Sequence, residues 1–310
     1  MIIKDFKLFE KEMKELILSN HRDIISKVGV ATSREDNDQI ILNSIEKWSS
    51  STELSGAVCI DNNKIVGFML GEIKENPNKI WIKPYGLAAS GANVDGIFYK
   101  LYKYCSKKWI NSGYNEHVIE SLNNDSFVQS LQNLGFAFQQ VHGILKISSY
   151  VEQVSNAEIE VRQLNNNDEP LLRKMADIIY NYQNDSPVYA APPFTINDIR
   201  NGYASLIDDK DLLFYIAETN EPVAFQGLWP EEEGYLVPDK CVELSIAGTF
   251  SNMSHQGIGS KLMNYVVDDL SKKGFEWIVA DWRVTNISSR RFWNEKCGFK
   301  IVKHRMVRII

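Results

Sequence analysis

The chain of 310 residues is about twice the usual length of one domain, so two domains of similar size are expected. With 44% hydrophobic and 24% charged residues it has ample material for buried cores, which excludes disorder, collagen and coiled coil. Its 34 basic against 40 acidic side chains, a net charge of -6, argue against a general polyanion or nucleic-acid binder, because such binding needs clustered positive charge.

The N-terminal run MIIKDFKLFEKEMKE breaks each apolar stretch with charge, so no signal-peptide core is expected, and no window approaches the roughly 18 to 20 apolar residues of a membrane span. Helical patterns near residues 7–20 and 34–49 precede two β-rich runs, GAVCIDNNKIVGFMLGEI, joined at Asp61-Asn62-Asn63 as a hairpin. A long helix is predicted from Val94 to Asn111, with Ile97, Leu101, Cys105 and Trp109 on one face and Gly113 ending it. EHVIESL reads as a strand, SFVQSLQNLGF as a helix with its Gly-Phe ending, and HGILKIS as a strand. The polar stretch SSYVEQVSNAE, residues 148–158, carries no periodic pattern and marks the join between domains 1–150 and 151–310.

The second half repeats the order. Strand AEIEVRQL, helix EPLLRKMADIIYNYQ, the Pro-rich loop DSPVYAAPPF and helix TINDIRNGYASLI lead to a hairpin, LLFYIAET and PVAFQGLWP around Asn220-Glu221. Strand CVELSIAGT, a helix with Ile258, Leu262, Val266 and Leu270 on one face, strand FEWIVADWRV, helix ISSRRFWNEKCGF and strand KIVKHRMVRII follow. This order implies an α+β architecture in each half, a mixed, mostly antiparallel sheet flanked by helices. Cys59, Cys105, Cys241 and Cys297 lie far apart without a CxxC spacing, which suits buried, reduced thiols in a cytoplasmic chain and gives no metal site.

The chemically informative stretch runs from Glu243 to Ser260, ELSIAGTFSNMSHQGIGS: a strand, a loop, then Gly257-Ile258-Gly259 opening a helix. Glycines at a helix start let the backbone approach a ligand, and the unbonded N–H groups of the first turn favour an anion. The third glycine of a dinucleotide-binding loop is missing, since Ser-Lys-Leu fills 260–262, and no P-loop Gly-Lys-Ser/Thr is present.

This stretch resembles the pyrophosphate loop of the GNAT superfamily of N-acetyltransferases, usually Arg/Gln-x-x-Gly-x-Gly/Ala. Here it reads Ser254-His255-Gln256-Gly257-Ile258-Gly259, with Ser254 departing from the usual basic or amide residue. A second motif, NISSRRFWNEKCGF from Asn286 to Phe299, resembles the family's Asn-x-x-Ala/Ser-x-x-Phe-Tyr-x-x-x-Gly-Phe. The resemblance covers residues 159–310 and implies acetyl-CoA as cofactor and an N-acetyltransferase acting on a primary amine of a small molecule or peptide.

By position, the resemblance implies that Ala247, Gly248 and Thr249 pair with the pantetheine amides, with Gly248 leaving room for the cofactor arm. The main-chain donors from Ser254 and His255 through Gln256, Gly257, Ile258, Gly259 and Ser260 bind the pyrophosphate. Asn286 bonds the pantetheine, and Ser289 or Trp293 lines the cofactor's other side, unless Trp293 simply packs in the core. Glu243, fourteen positions before Gly257, stands where some members carry the general base; otherwise it is an outward strand carboxylate. Trp293 replaces the Tyr that many members use as general acid, so the acid is unassigned: Tyr265, Tyr235 or water takes the role, or the thiolate leaves directly. Tyr182, Asp185, Tyr189, Phe194 and Trp229 are expected around the substrate amine, where aromatic rings and carboxylates suit a cation, unless these aromatics and prolines only pack a loop on the sheet; Asp281 or Arg283 either faces the cleft or forms a surface ion pair.

The first half resembles a second copy that has lost its cofactor loop: GLAASGANVDGIF has no Gly-x-Gly at its helix start and carries Asp95 there. The expected protein is therefore two tandem GNAT-like domains, the second catalytic, a monomer or homodimer without nucleic-acid or membrane partners. Alternatives are a non-catalytic acyl-CoA sensor or scaffold, and transfer of a longer acyl group. The amine itself is not specified.

Overall fold

The computed structural model describes residues 1–310 except 7–10, 30–37, 76–77, 189–193, 232–235, 251–252 and 254–255. The described chain forms two compact units whose bounds differ from a cut at residue 150. The first comprises Met1–His142, Glu233–Pro238 and Ile301–Ile310, and the second Gly143–Glu232 and Asp239–Lys300. The last strand belongs to the first unit because it pairs there along seven residues, Lys303 opposite Leu122 through Ile309 opposite Glu116. Sequence periodicity specifies a strand but not its partner.

The first unit runs β1 (Ile2–Asp5), α1 (Lys11–Val28), α2 (Asp38–Ser51), β2 (Leu54–Asp61), β3 (Lys64–Glu75), β4 (Asn78–Ile82), β5 (Leu87–Ala89), α3 (Val94–Asn111), β6 (Glu116–Leu122), α4 (Asp125–Asn133) and the start of β7 (Ala137–Lys146). β2 and β3 form the antiparallel hairpin, turning through Asn62 and Asn63 at positive φ, a conformation Asn tolerates. β4 pairs parallel with β6, Lys79 to Ile82 against Glu116 to Ile119. Apolar residues cover both faces of this sheet. Met13, Ile17, Ile41, Ile45 and Trp48 of α1 and α2 pack on Val58, Phe68 and Leu70, whereas Ile97, Phe98, Leu101, Cys105 and Trp109 of α3 pack with Ala57, Cys59, Met69 and Ile80. The α3 stripe is the one its spacing predicts.

The second unit repeats the succession with β8 (Glu160–Gln163), α5 (Glu169–Asn184), α6 (Ile196–Ala204), β9 (Leu213–Glu218), β10 (Pro222–Glu231), β11 (Cys241–Thr249), α7 (Ile258–Lys272), β12 (Trp277–Arg283) and α8 (Ile287–Arg290), before β13 (Lys300–Ile309). Its sheet order is β12-β11-β10-β9-β8, antiparallel except for the β11–β12 pair. Phe214, Ile216 and Phe225 meet Leu172 and Met175 of α5 on one face. α7 buries Ile258, Leu262, Val266 and Leu270. Thr195 and Asp198 close a reciprocal capping box at the start of α6. All four cysteines are free and buried, and burial pushes the Cys105 and Cys297 thiols up to about 12.

Candidate functional site

The site begins with a fault in the sheet. β11 pairs with β10 from Cys241 to Thr249, but Gly227 faces Ile246 while Leu228 faces Leu244, so Ser245 is an extra residue, a bulge. On its other edge β11 pairs with β12 only from Cys241 to Leu244, against Trp277 to Ala280. Beyond Ala280, β12 continues through Asp281, Trp282 and Arg283 without a ladder to β11. Ala247, Gly248 and Thr249 therefore lie on the half of β11 that keeps β10 but has parted from β12, leaving one main-chain edge for another extended amide chain.

The register assigns the faces. Glu243 is opposite Trp229 on β10 and Val279 on β12, so it shares a face with Trp229, Asp281 and Arg283, the face covered farther along by α5. Val242, Leu244, Ile278 and Ala280 are buried on the opposite face. Glu243 is only partly buried at the point where the two strands diverge. Trp229 is fixed by its indole N–H donating to Asp209 Oδ2 at 2.8 Å.

The loop after β11 leads to Gly257, which adopts φ +80° and starts α7. Among the described residues no side chain caps this helix, so its first N–H groups keep their donor capacity. The side chains of Ile258 and Ser260 are buried, at 3% and 2% exposure, so only their main chain can meet a ligand. A β-carbon on Gly259 would touch the Phe292 ring at 3.4 Å, which puts the first turn of α7 against the α8 region. Gln256 is exposed; Ser254 and His255 lie outside the described residues, as does Tyr189.

Asn286 caps α8, its Oδ1 accepting the Ser289 N–H at 2.9 Å and the Tyr182 hydroxyl at 2.8 Å. The group it can offer a ligand is thus the Nδ2 amide, a donor. This bond brings Tyr182, at the end of α5, to the second motif; burial raises its phenol pKa. Asp185 is exposed and accepts the adjacent Ser186 N–H at 2.7 Å, and Phe194 is exposed.

A β-carbon on Gly248 would lie 2.6 Å from the Phe225 ring, so the glycine accommodates that core ring. Trp293 is 8% exposed and packs edge-on against Phe292 and Phe299 with ring centroids 4.6 and 5.8 Å away. Around it, residues Arg291–Lys296 form a π-helical turn. Four residues separate Trp293 from Gly298 where the motif has three, and a wider turn absorbs one extra residue. Tyr265 packs on Tyr215 along α7, with ring centroids 6.1 Å apart, and Tyr235 lies outside the described residues. Sequence reasoning missed the Tyr182–Asn286 bond and the contact of Ser155 with Gly257, because neither leaves a periodic or motif signal.

A parted parallel pair followed by a glycine-started, uncapped helix is the arrangement against which comparisons with known proteins weigh. Residues 176–299 match the sequence model described as the acetyltransferase (GNAT) family. The chain carries a GNAT domain. A GCN5-related N-acetyltransferase from Sphaerobacter thermophilus shares the fold over 99% of this chain and 95% of its own, with a TM-score of 0.61 and 10% identity. A tandem GNAT protein from the clavulanic acid biosynthesis pathway aligns over 99% of this chain and 98% of its own, with a TM-score of 0.51 and 10% identity. The two units are accordingly tandem GNAT-like folds. No curated protein matches the sequence. Among the described residues no helix is long and apolar enough to cross a membrane, and no cluster of three or more His, Cys, Asp or Glu that could hold a metal ion is found.

Proposed function

We propose that the second unit is an acetyl-CoA-dependent N-acetyltransferase acting on a primary amine of a small molecule or peptide. The observation that carries this is the parting of β11 from β12 after Leu244 and Ala280, ahead of a helix whose first N–H groups meet no capping side chain among the described residues. The residues present fit the cofactor: an open extended edge at Ala247–Thr249 suits the pantetheine amides, and the donors from Gly257 to Ser260 suit a diphosphate. Asn286 Nδ2 offers a further side-chain donor.

The bound cofactor supplies a thioester carbonyl open to attack by a neutral amine. Glu243, on the face shared with Trp229 and Asp281, receives the amine proton, and the main-chain N–H groups of the diverged half of β11 stabilise negative charge on the carbonyl oxygen. Tyr182, Trp229 and Asp281 form the substrate side with Asp185 and Phe194. No side chain is assigned to protonate the leaving thiol, which with a pKa of about 8.5 would be a fair leaving group as the thiolate. The first unit binds no CoA in this scheme.

Calorimetry of the full chain with CoA and acetyl-CoA, together with turnover of an amine panel, tests the proposal. Binding is expected, and Glu243→Gln should lower kcat on the order of 100-fold at neutral pH with cofactor affinity near normal. Unchanged turnover removes Glu243 from the base role, and binding without turnover on any amine favours an acyl-CoA sensor. Absence of CoA uptake by folded protein overturns the assignment.

A further inference from the structure

Residues 150–155 have the composition of a linker, yet they are clasped to α7. The Tyr150 hydroxyl donates to Asn264 Oδ1 at 2.7 Å, the Gln153 N–H donates to the same oxygen at 2.9 Å, and Asn264 Nδ2 donates to the Gln153 carbonyl at 2.8 Å. Val151 and Val154 are 73% and 92% exposed, so hydrogen bonds rather than apolar burial fix this strap. Ser155 then reaches the start of the helix: its hydroxyl donates to the Gly257 carbonyl at 2.9 Å and accepts the Ala157 N–H at 3.2 Å. The fit is close, since a β-carbon on Gly257 would approach Ser155 Oγ to 2.7 Å.

The Gly257 carbonyl and the Ile258 N–H belong to one planar trans peptide and point in opposite directions. Holding the carbonyl therefore aims the N–H. The carbonyl also accepts the first intrahelical bond from Lys261 N at 3.0 Å, so helix and strap fix it together. We propose that Ser155 is a positioning residue for the diphosphate cradle, setting the Gly257–Ile258 peptide through a strap clasped by Asn264, so that cofactor affinity depends on a segment outside both sequence motifs. This rests on the second unit binding acyl-CoA.

The test compares wild type, Ser155→Ala, Ser155→Thr and Asn264→Ala in the full chain, measuring CoA affinity by calorimetry, acetyl-CoA steady-state kinetics and melting temperature. Loss of one aligned hydrogen bond predicts a 5-fold to 10-fold rise, roughly, in Kd for CoA and KM for acetyl-CoA in Ser155→Ala, with kcat changing by less than about twofold. Ser155→Thr, which keeps the hydroxyl, should restore affinity, and Asn264→Ala should weaken it by releasing the strap. A Ser155→Ala protein that melts lower but binds CoA as tightly as wild type has lost only a structural contact, and the proposal falls. If Ser155→Ala does not fold, wild-type affinity in Asn264→Ala overturns the proposal and weakened affinity there supports it. Failure of wild type itself to bind CoA overturns the functional assignment and this proposal together, an outcome distinct from a wild type that binds beside unaffected variants.

Discussion

Two helices occupy the same place in the two units and begin differently. α7 starts on Gly257 at φ +80°, and no described side chain caps it. α3 starts after Asn93, whose side chain accepts the Gly96 N–H at 3.1 Å, and its first turn carries Asp95. The strands before them differ too. β11 takes up one extra residue, Ser245, and stays a continuous strand. In the first unit, Leu70 and Gly71 of β3 face the five residues Ile82 to Gly86, and the chain breaks into β4, a short turn and β5. The same fold thus survives with this helix start either uncapped or capped, and the proposed cofactor site rests on that difference rather than on the fold alone.

The largest expected difference between the units is their response to acid. His117, His142 and His304 belong to the first unit, and burial pushes their pKa values down to about 4, about 3 and about 4. The second unit has no histidine among its described residues. Because the unfolded chain titrates near 6.5, it binds more protons than the folded chain below that pH, and stability falls as pH drops from about 6.5 towards 4. Burial alone would raise the Glu120 pKa, but Lys303 and Lys83 outweigh it and hold it at about 2, so the stability from this pair is lost only below about pH 4.5. The histidines should each remove on the order of 1 to 2 kcal/mol by pH 5. Melting at pH 7 and pH 5, with limited proteolysis to locate the first cleavage, checks this; equal stability, or first cleavage within 143–300, breaks the contrast.

Next in size is Gly257→Ala, which forces a side chain into a left-handed conformation and against Ser155. CoA affinity should fall on the order of 100-fold while the fold persists. Calorimetry decides, and unchanged affinity would detach the cradle from this backbone geometry. Gly248→Ala should act on stability instead, costing about 1 to 3 kcal/mol through the Phe225 contact. Denaturant unfolding reads it; a stable variant with weakened CoA binding would mean that Gly248 serves the cofactor arm rather than the core.

The parts of this molecule legible in the sequence are those written as local pattern. Periodicity specifies α3 and α7, the Asn-rich turn specifies the β2–β3 hairpin, and the order of elements reveals the repeat. The motif around Gly257 locates the uncapped helix. β1 and β4 went unread, because IIKD and NKIWI are too short and too interrupted by charge to show a period. The pairing of β13 with β6 is a long-range choice that no local pattern encodes. The identity of the ring that fills the space beside Gly248 depends on a packing partner 23 residues away on the neighbouring strand, and the burial of Trp293 on the winding of the turn that sets it against Phe292 and Phe299. Ser155 lies in a stretch whose polarity gives no hint that it touches a helix start.

The smallest effect is the most direct probe of the comparison. Asn93→Ala removes the cap of α3 and should cost about 1 kcal/mol of stability. The released N–H groups then resemble those of α7, but Asp95 stays in the first turn, where its charge opposes a diphosphate. CoA should therefore bind with the same stoichiometry as in wild type, one per chain, and with unchanged affinity. A second equivalent bound by Asn93→Ala would mean that the cap alone closes this helix start, and that the broken strand before it still offers an edge a cofactor can use.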